Sequence, residues 1–391
     1  MWSLRSVALF IILAGCASAP HGDPGGPLPP APVPAPVPAA APLAPVTPDP
    51  AAAGIAAAVE AAHAAGVFDG LVVVLRDDRV IYRGAVGLAD RERGTPHAVG
   101  EVVRFASIAK QITAALVMQQ VEAGRVSLDE KLAVYLPAAP SALRAITIRD
   151  LLRHTSGLQN PDDGTPDGQM PAFYQRTDAD VGVHGAVFST VCGQPPKRAP
   201  GSFEYNNCDY LVLGAMLEAV THQRFDALVD QAITKGLGLP SLRIVTPAHP
   251  DTSAVVGYLE DGKREATYNL ATFGASAALV GTIDDLARWG RTLVTHRLVS
   301  DATTATMFRG DPAMQQEALG SWAYKLAVPG RSVALVERQG SIGGMRSLLL
   351  LAPEQAIVIA IVANTEKAQL FELWAKRGLP YDLVVAATAA P

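Results

Sequence analysis

The order of apolar and polar positions divides this chain into four stretches. A short apolar run, Val7 to Leu13, follows a basic N-terminus, and from Ala19 to Pro50 the chain is almost wholly Pro, Ala, Gly and Val with no periodic apolar face. Beyond Pro50 the pattern becomes that of a folded domain. The segment AAAGIAAAVEAAHAAG predicts a helix, and two strand-like runs, Leu71 to Leu75 and Val80 to Ala85, flank the polar Arg76-Asp77-Asp78-Arg79, so a helix feeds an antiparallel hairpin. The stretch VRFASIAKQITAALVMQQVEAG, Val103 to Gly124, is apolar on nearly every face from Ile108 onward and predicts a buried helix that stops at Gly124. A long section to about Arg291 is mostly helical in pattern, with loops rich in Gly, Pro and Asp around Asn160 to Gly168. Within it Thr282-x-x-Asp285 opens a helix as a capping box with Asp in place of Glu. Three strand-like runs close the chain, Ser332 to Glu337, Ser347 to Leu351 and Ala356 to Val362, the last two joined by a Pro353-Glu354-Gln355 turn. With β elements at both ends and a helical middle, the simplest architecture is α+β: one antiparallel sheet built from the two ends, flanked by terminal helices, with an all-helical subdomain inserted. There are no internal repeats.

With 391 residues, 49% of them hydrophobic and 18% charged, the chain is globular and buries a large core in one big or two smaller domains. A net charge of −5 with dispersed Lys and Arg excludes a nucleic-acid surface. The N-terminal apolar run is too short to span a membrane and reads as a signal peptide. Its ending, Leu13-Ala14-Gly15-Cys16, resembles the bacterial lipobox, which implies lipidation of Cys16 and anchoring in a lipid bilayer. Ala17 in place of Asp implies sorting to the periplasmic face of the outer membrane or to the cell surface. The expected organisation is residues 1–16 signal peptide, 17–50 tether, 51–378 catalytic domain and 379–391 tail. Alternating Ala-Pro favours polyproline II, with a reach on the order of 90 Å; an inert spacer is the other reading of the tether.

Within the apolar helix, Ser107 and Lys110 form a Ser-x-x-Lys at its start. A capping serine is the ordinary reading of such a position. Lys110 argues against it, because a capping box wants Glu or Gln there, whereas a cation faces the positive end of the helix dipole. Burial and the dipole both lower the pKa of such an amine, and a neutral amine one turn from a serine hydroxyl is able to take its proton. That is the arrangement of an acyl-transfer nucleophile without histidine. Tyr205-Asn206-Asn207 offers a candidate second acid/base in Tyr205 beside an amide, Asn207, although a loop tyrosine with a hydrogen-bonded asparagine is the ordinary reading of such a pair.

The ordered set VRFASIAKQITAA, ITIRDLLRHTSGL (Ile146 to Leu158), PGSFEYNNCDYLVLGA (Pro200 to Ala215) and GTIDDLARW (Gly281 to Trp289) resembles the serine β-lactamase-related family of class C β-lactamases, DD-peptidases and esterases, over about Val67 to Asn364. The resemblance implies Ser107 as nucleophile, Lys110 as its base, Tyr205 as general acid/base, and Asn207 as partner of substrate or of Lys110. It implies acyl transfer to water on a small-molecule or peptide acyl substrate, with no cofactor. The family's third motif, Lys-Thr-Gly or His-x-Gly on an edge strand, reads Arg338-Gln339-Gly340-Ser341 here and departs from the pattern. Arginine keeps the charge and grips a carboxylate, favouring β-lactams or D-Ala-D-Ala peptides, yet it cannot shuttle a proton. Gly340 would admit substrate to the strand, and the N–H groups of Ser107 and Ser341 would form the oxyanion hole. The departure leaves open an inactive, cell-wall-binding member of the family, with Arg338 a solvated strand-end charge.

His154 carries a structural role by the same resemblance. None of the eight histidines falls as His-x-x-x-His or beside clustered cysteines, so no metal site is expected. Gly-x-Ser-x-Gly, phosphate-loop and dinucleotide fingerprints are absent. Of three cysteines, Cys192 and Cys208 leave an even pair past the signal segment. A disulfide between them would brace the Tyr205 loop; two buried free thiols are the alternative.

Overall fold

Two uninterrupted aliphatic segments, LVVVL after Gly70 and IVIAIVA after Ala356, become the central strands of one six-stranded antiparallel sheet. A computed structural model of the chain describes residues 45–166, 169–177 and 184–389. Cys16, its lipobox and residues 17–44 of the expected tether lie outside the described residues. The sheet order is Arg79–Val86, Gly70–Arg76, Ile357–Ala363, Met345–Ala352, Arg331–Ile342, Trp322–Val328. The chain ends are zipped together at its middle, with Val72 opposite Ile361 and Ile361 opposite Leu348.

These strands read as continuous apolar runs because both sheet faces are covered. Leu71, Val73 and Leu75 join the core of the inserted region, while Val72 and Val74 pack with Ile55, Val59, Leu383 and Val384 of the two terminal helices, Ala52–Ala64 and Leu379–Thr388. The second of these helices corrects the expected tail at 379–391. It was missed because its apolar residues make sense only against the sheet. The tether likewise ends earlier than Pro50: the Thr47 N–H donates to the Val80 carbonyl (2.8 Å), and Asp49 pairs with Arg76 (2.9 Å). The helix Ile283–Val294 lies on the opposite face, brought close at Gly290, where a Cβ would press on Val358 and Leu351. Thr282 caps it by accepting the Asp285 N–H (3.3 Å), but the Asp285 carboxylate turns to the backbone N–H of Ser241 (2.8 Å) rather than closing the box.

Between the hairpin and Trp322–Val328 the described residues form helices and loops with two small sheets: Leu88–Asp90 with Thr95–Pro96, and Val103–Arg104 with Leu279–Gly281 and Arg243–Ile244. Cys192 and Cys208 are joined in a buried disulfide spanning 16 positions, which stabilises by about 3 kcal/mol in the chain-entropy account.

The fold positions the site through one incomplete strand pairing. Trp322 opposite Glu337 is the last pair between the two final strands of the sheet order, so residues 338–342 have no strand on that side. The turn Ala106–Ile108 lies on the sheet face here, over Gly340 of this strand and Ser347 of the next. A Cβ at Gly340 would collide with the Phe105 carbonyl oxygen and the Ser347 hydroxyl, so this glycine lets the turn itself approach the strand. Its expected purpose, admitting substrate, is corrected accordingly.

Candidate active site

Ser107 is not a helix cap. It lies in a three-ten turn before the helix Ala109–Glu122, whose N-cap position is Ile108, and no side chain caps either element. Ala106 just before it is held at φ 49°, a left-handed conformation uncommon for a residue with a Cβ. Such strain is tolerated because Phe105, Ala106 and Ile108 are fully buried, and it sets the direction from which the serine leaves the turn.

Lys110 is completely buried, and its Nζ lies 3.1 Å from Ser107 Oγ, 2.6 Å from Asn207 Oδ1 and 3.0 Å from the Ser276 carbonyl oxygen. Burial pushes the amine below its ordinary value, and Arg338 adds to that against the opposing pull of Tyr205. The amide and carbonyl oxygens are acceptors only, so they claim two hydrogens. A neutral amine then keeps its lone pair for the Ser107 hydroxyl proton. Asn207, first residue of the helix Asn207–Thr221, is fixed in turn: its N–H donates to Asn160 Oδ1 (3.1 Å), and its Nδ2 donates to Asp162 Oδ2 (3.0 Å) and the Tyr174 hydroxyl (2.8 Å).

Tyr205 is partly exposed, with the Lys110 ammonium position 4.8 Å from its ring centre. Burial raises the phenol, but Lys110 and Arg338 outweigh it and hold the group below its ordinary value. His154 frames this residue. Its carbonyl accepts the Glu204 N–H (2.9 Å), its Nδ1 accepts the Asn206 N–H (3.2 Å), and its ring lies 4.5 Å from that of Tyr205. Behind it, Asp209 Oδ2 is 3.0 Å from the same Nδ1. The nitrogen carries one lone pair or one hydrogen, so it serves one of these two contacts at a time. Burial pushes Asp209 well up and His154 well down.

Arg338 sits elsewhere than expected. It has no exposed surface; Nε donates to the Ser107 carbonyl (2.8 Å) and Nη2 to the Tyr205 hydroxyl (2.8 Å), with the guanidinium 5.1 Å from the Trp322 ring centre. The expectation that it grips a substrate carboxylate, and the alternative of a solvated strand-end charge, are both corrected: its donors point inward because the strand places its side chain beneath the nucleophile turn. Nη1, and both oxygens of the buried Glu317, find no hydrogen-bond partner among the described residues. Burial pushes Glu317 well above the usual carboxyl range, against the pull of Arg338.

Ser341, one of the two expected oxyanion donors, is exposed at the open end of the strand. It lines a cleft of about 260 Å³ with Asn207, Asp162, Tyr174, Phe273 and Glu366. A neighbouring cleft of about 530 Å³ shares Ala266 with it and surrounds the ion pair of Arg104 with Glu265 (2.7 Å). Among the described residues no cluster of His, Cys, Asp or Glu is arranged to hold a metal, and no helix is long and apolar enough to cross a membrane. The structure thus brings Ser107, Lys110, Tyr205, Asn207 and Arg338 into one network. Sequence reasoning missed Asp162, Tyr174, Ser276, Glu317 and Trp322, which contribute by position in space and carry no local spacing signal.

Comparison with known proteins accords with this geometry. The chain is 32% identical over 228 residues to esterase EstB of Burkholderia gladioli, covering 53% of this chain and 57% of the esterase. It is 26% identical over 318 residues to penicillin-binding protein 4 of Amycolatopsis lactamdurans, covering 75% and 80%. The chain therefore spans a little over half the length of the esterase. Among solved structures it resembles the D-amino acid amidase of Ochrobactrum anthropi, with a TM-score of 0.72 at 18% identity over 86% of this chain and 98% of the amidase. The Beta-lactamase family model matches residues 51–379, so this chain belongs to the Beta-lactamase family of serine hydrolases.

Proposed function

We propose that this protein is an acyl hydrolase that forms an acyl-enzyme on Ser107 and cleaves an amide, β-lactam or ester. The supporting observation is the Lys110 amine, fully buried, with two fixed acceptors and its third contact to the Ser107 hydroxyl. Ser107 Oγ bonds the acyl carbon as its proton passes to Lys110. The carbonyl oxygen takes the negative charge in front of the Ser107 and Ser341 N–H groups. As the carbon–heteroatom bond breaks, Tyr205 gives a proton to the leaving group, and the proton held by Lys110 restores it. Water then attacks the ester carbon, its proton passing to Tyr205 as Tyr205 passes its own to Lys110, and Lys110 returns a proton to Ser107 Oγ as the acyl carbon–oxygen bond breaks. Arg338 keeps a fixed positive charge against Tyr205 and titrates in neither half.

A second reading, an inactive cell-wall-binding member, is favoured by Arg338 standing where the family pattern has Lys or His. Hydrolysis of 4-nitrophenyl acetate and nitrocefin by the full-length protein in detergent separates the two. Turnover that vanishes in Ser107→Ala supports the enzyme; no turnover and no serine adduct with a fluorophosphonate would leave the binding reading standing.

In this proposal the enzyme works outside the cytoplasm, tethered to a lipid bilayer through Cys16. The Leu13-Ala14-Gly15-Cys16 sequence and the Cys192–Cys208 disulfide support an oxidising compartment. Membrane partitioning of wild-type protein, lost in Cys16→Ser, is the test.

A further inference from the structure

The cleft beside the nucleophile carries a charge opposite to that expected from the third motif. Its lining includes two acids, Asp162 and Glu366, and no Lys, Arg or His among the described residues. The two cations closest to the chemistry are withheld from it. Lys110 and Arg338 have no exposed surface, and every donor of theirs with a partner is directed at Ser107, Asn207, Ser276 or Tyr205. In the neighbouring cleft Arg104 is neutralised by Glu265 at 2.7 Å, with Asp251 at 3.9 Å.

The two acids are not equivalent. Glu366 is occupied by Arg346 (2.8 Å) and by the Glu260 N–H (3.0 Å). Asp162 is exposed at the cleft, and among the described residues no basic side chain lies within ion-pair distance of it. Its Oδ2 accepts the Asn207 amide, whose own oxygen holds Lys110, so its place relative to the nucleophile is set through two hydrogen bonds. Partial burial raises this carboxyl against the pull of Lys110 and the hydrogen bonds of Tyr174 and Asn160. Beside the charge, Tyr174, whose hydroxyl meets the Asp162 carboxylate, stacks on Phe273 with ring centres 3.7 Å apart. At about 260 Å³ the space is below the range typical for drug-sized ligands and suits one amino-acid-sized acyl group.

From this arrangement, and resting on the acyl-hydrolase reading above, we infer that the acyl substrate carries a free ammonium group, received by Asp162, on a small apolar aminoacyl unit. Aminoacyl amides and esters fit this cleft; acyl donors that present a carboxylate meet an acid where they need a base. The bonds made and broken are those of the acyl transfer already described, and the ammonium takes part only by binding.

The test uses the full-length protein in detergent with three phenylalanine 4-nitroanilides, each as both enantiomers: free ammonium, N-acetyl and N-succinyl. The expected order of kcat/KM is ammonium above acetyl by about tenfold or more, with succinyl slowest. In Asp162→Asn, which keeps an acceptor for Asn207, the ratio of ammonium to acetyl substrate falls about tenfold whatever loss the two share. In Asp162→Lys the order of ammonium and succinyl substrates reverses. A wild-type protein that turns over the succinyl substrate as fast as the ammonium one overturns the inference, as does a ratio unmoved by Asp162→Asn. Ser107-dependent hydrolysis of 4-nitrophenyl acetate separates the two failures: if it persists without an ammonium preference, only the inference falls, and if it is absent, the hydrolase reading falls with it.

Discussion

Two basic side chains lie under the same nucleophile, and both have no exposed surface. Lys110 belongs to a helix start and meets two acceptors and the Ser107 hydroxyl, whereas Arg338 belongs to a strand end and leaves Nη1 without a partner among the described residues. Burial acts on both alike, yet the consequence differs with the chemistry of the head group. An amine released from water sheds its proton and becomes a base; a guanidinium retains it and becomes a fixed charge. The pair shows how one desolvated site obtains a proton acceptor and a permanent field from residues often treated as interchangeable.

The sharpest way to break this contrast is to give Lys110 the head group of Arg338. Lys110→Arg keeps a cation but has no lone pair, so acylation falls about 10³-fold, read by single-turnover kinetics. A variant retaining a tenth of wild-type activity would place the base elsewhere. The support of Lys110 is tested through the disulfide. Cys192→Ser with Cys208→Ser removes about 3 kcal/mol of stability in denaturant unfolding, and it lowers activity through the Asn207 helix start that Cys208 adjoins.

A third change addresses Arg338 itself. Arg338 lowers both Tyr205 and Lys110, so its removal lets both pKa values rise. The ascending limb of kcat/KM against pH, which requires Lys110 deprotonated, therefore moves to higher pH in Arg338→Met. Activity at neutral pH falls about tenfold for each unit moved, and Arg338→Lys recovers most of it. The smallest effect is expected behind His154. Burial raises the Asp209 carboxyl above its unfolded value, so the stability it contributes is full at acid pH and is lost as pH rises through the folded value. Asp209→Asn keeps a donor for His154 Nδ1 and an acceptor for Ser156 and cannot ionise. Its stability should stay within about 1 kcal/mol of wild type near neutrality and exceed it in alkali, measured by thermal unfolding across pH.

Much of this molecule is legible in one dimension. The central strands announce themselves as apolar runs, and the nucleophile helix by its uniform apolarity and its misplaced lysine. Trp322–Val328 escapes detection because its burial is partial and mixed along the strand. The helix Leu379–Thr388 escapes for another reason: its apolar residues, Leu383 and Val384 among them, make sense only against the sheet.

The sequence by itself determined which groups are chemically able to act: a serine and an amine one turn apart, a tyrosine and an amide two apart, and a guanidinium that cannot give up its proton. These follow from covalent identity and local spacing, which survive any fold. Tertiary structure decided which way the charges face. Arg338 points inward because the strand pleat puts its side chain on the sheet face that the nucleophile turn covers. Asp162 points outward because Asn207 and its neighbours hold one carboxylate oxygen and leave the residue exposed at the cleft. Orientation is a relation between segments far apart in the chain, set by the packing of the whole core, and no local pattern carries it.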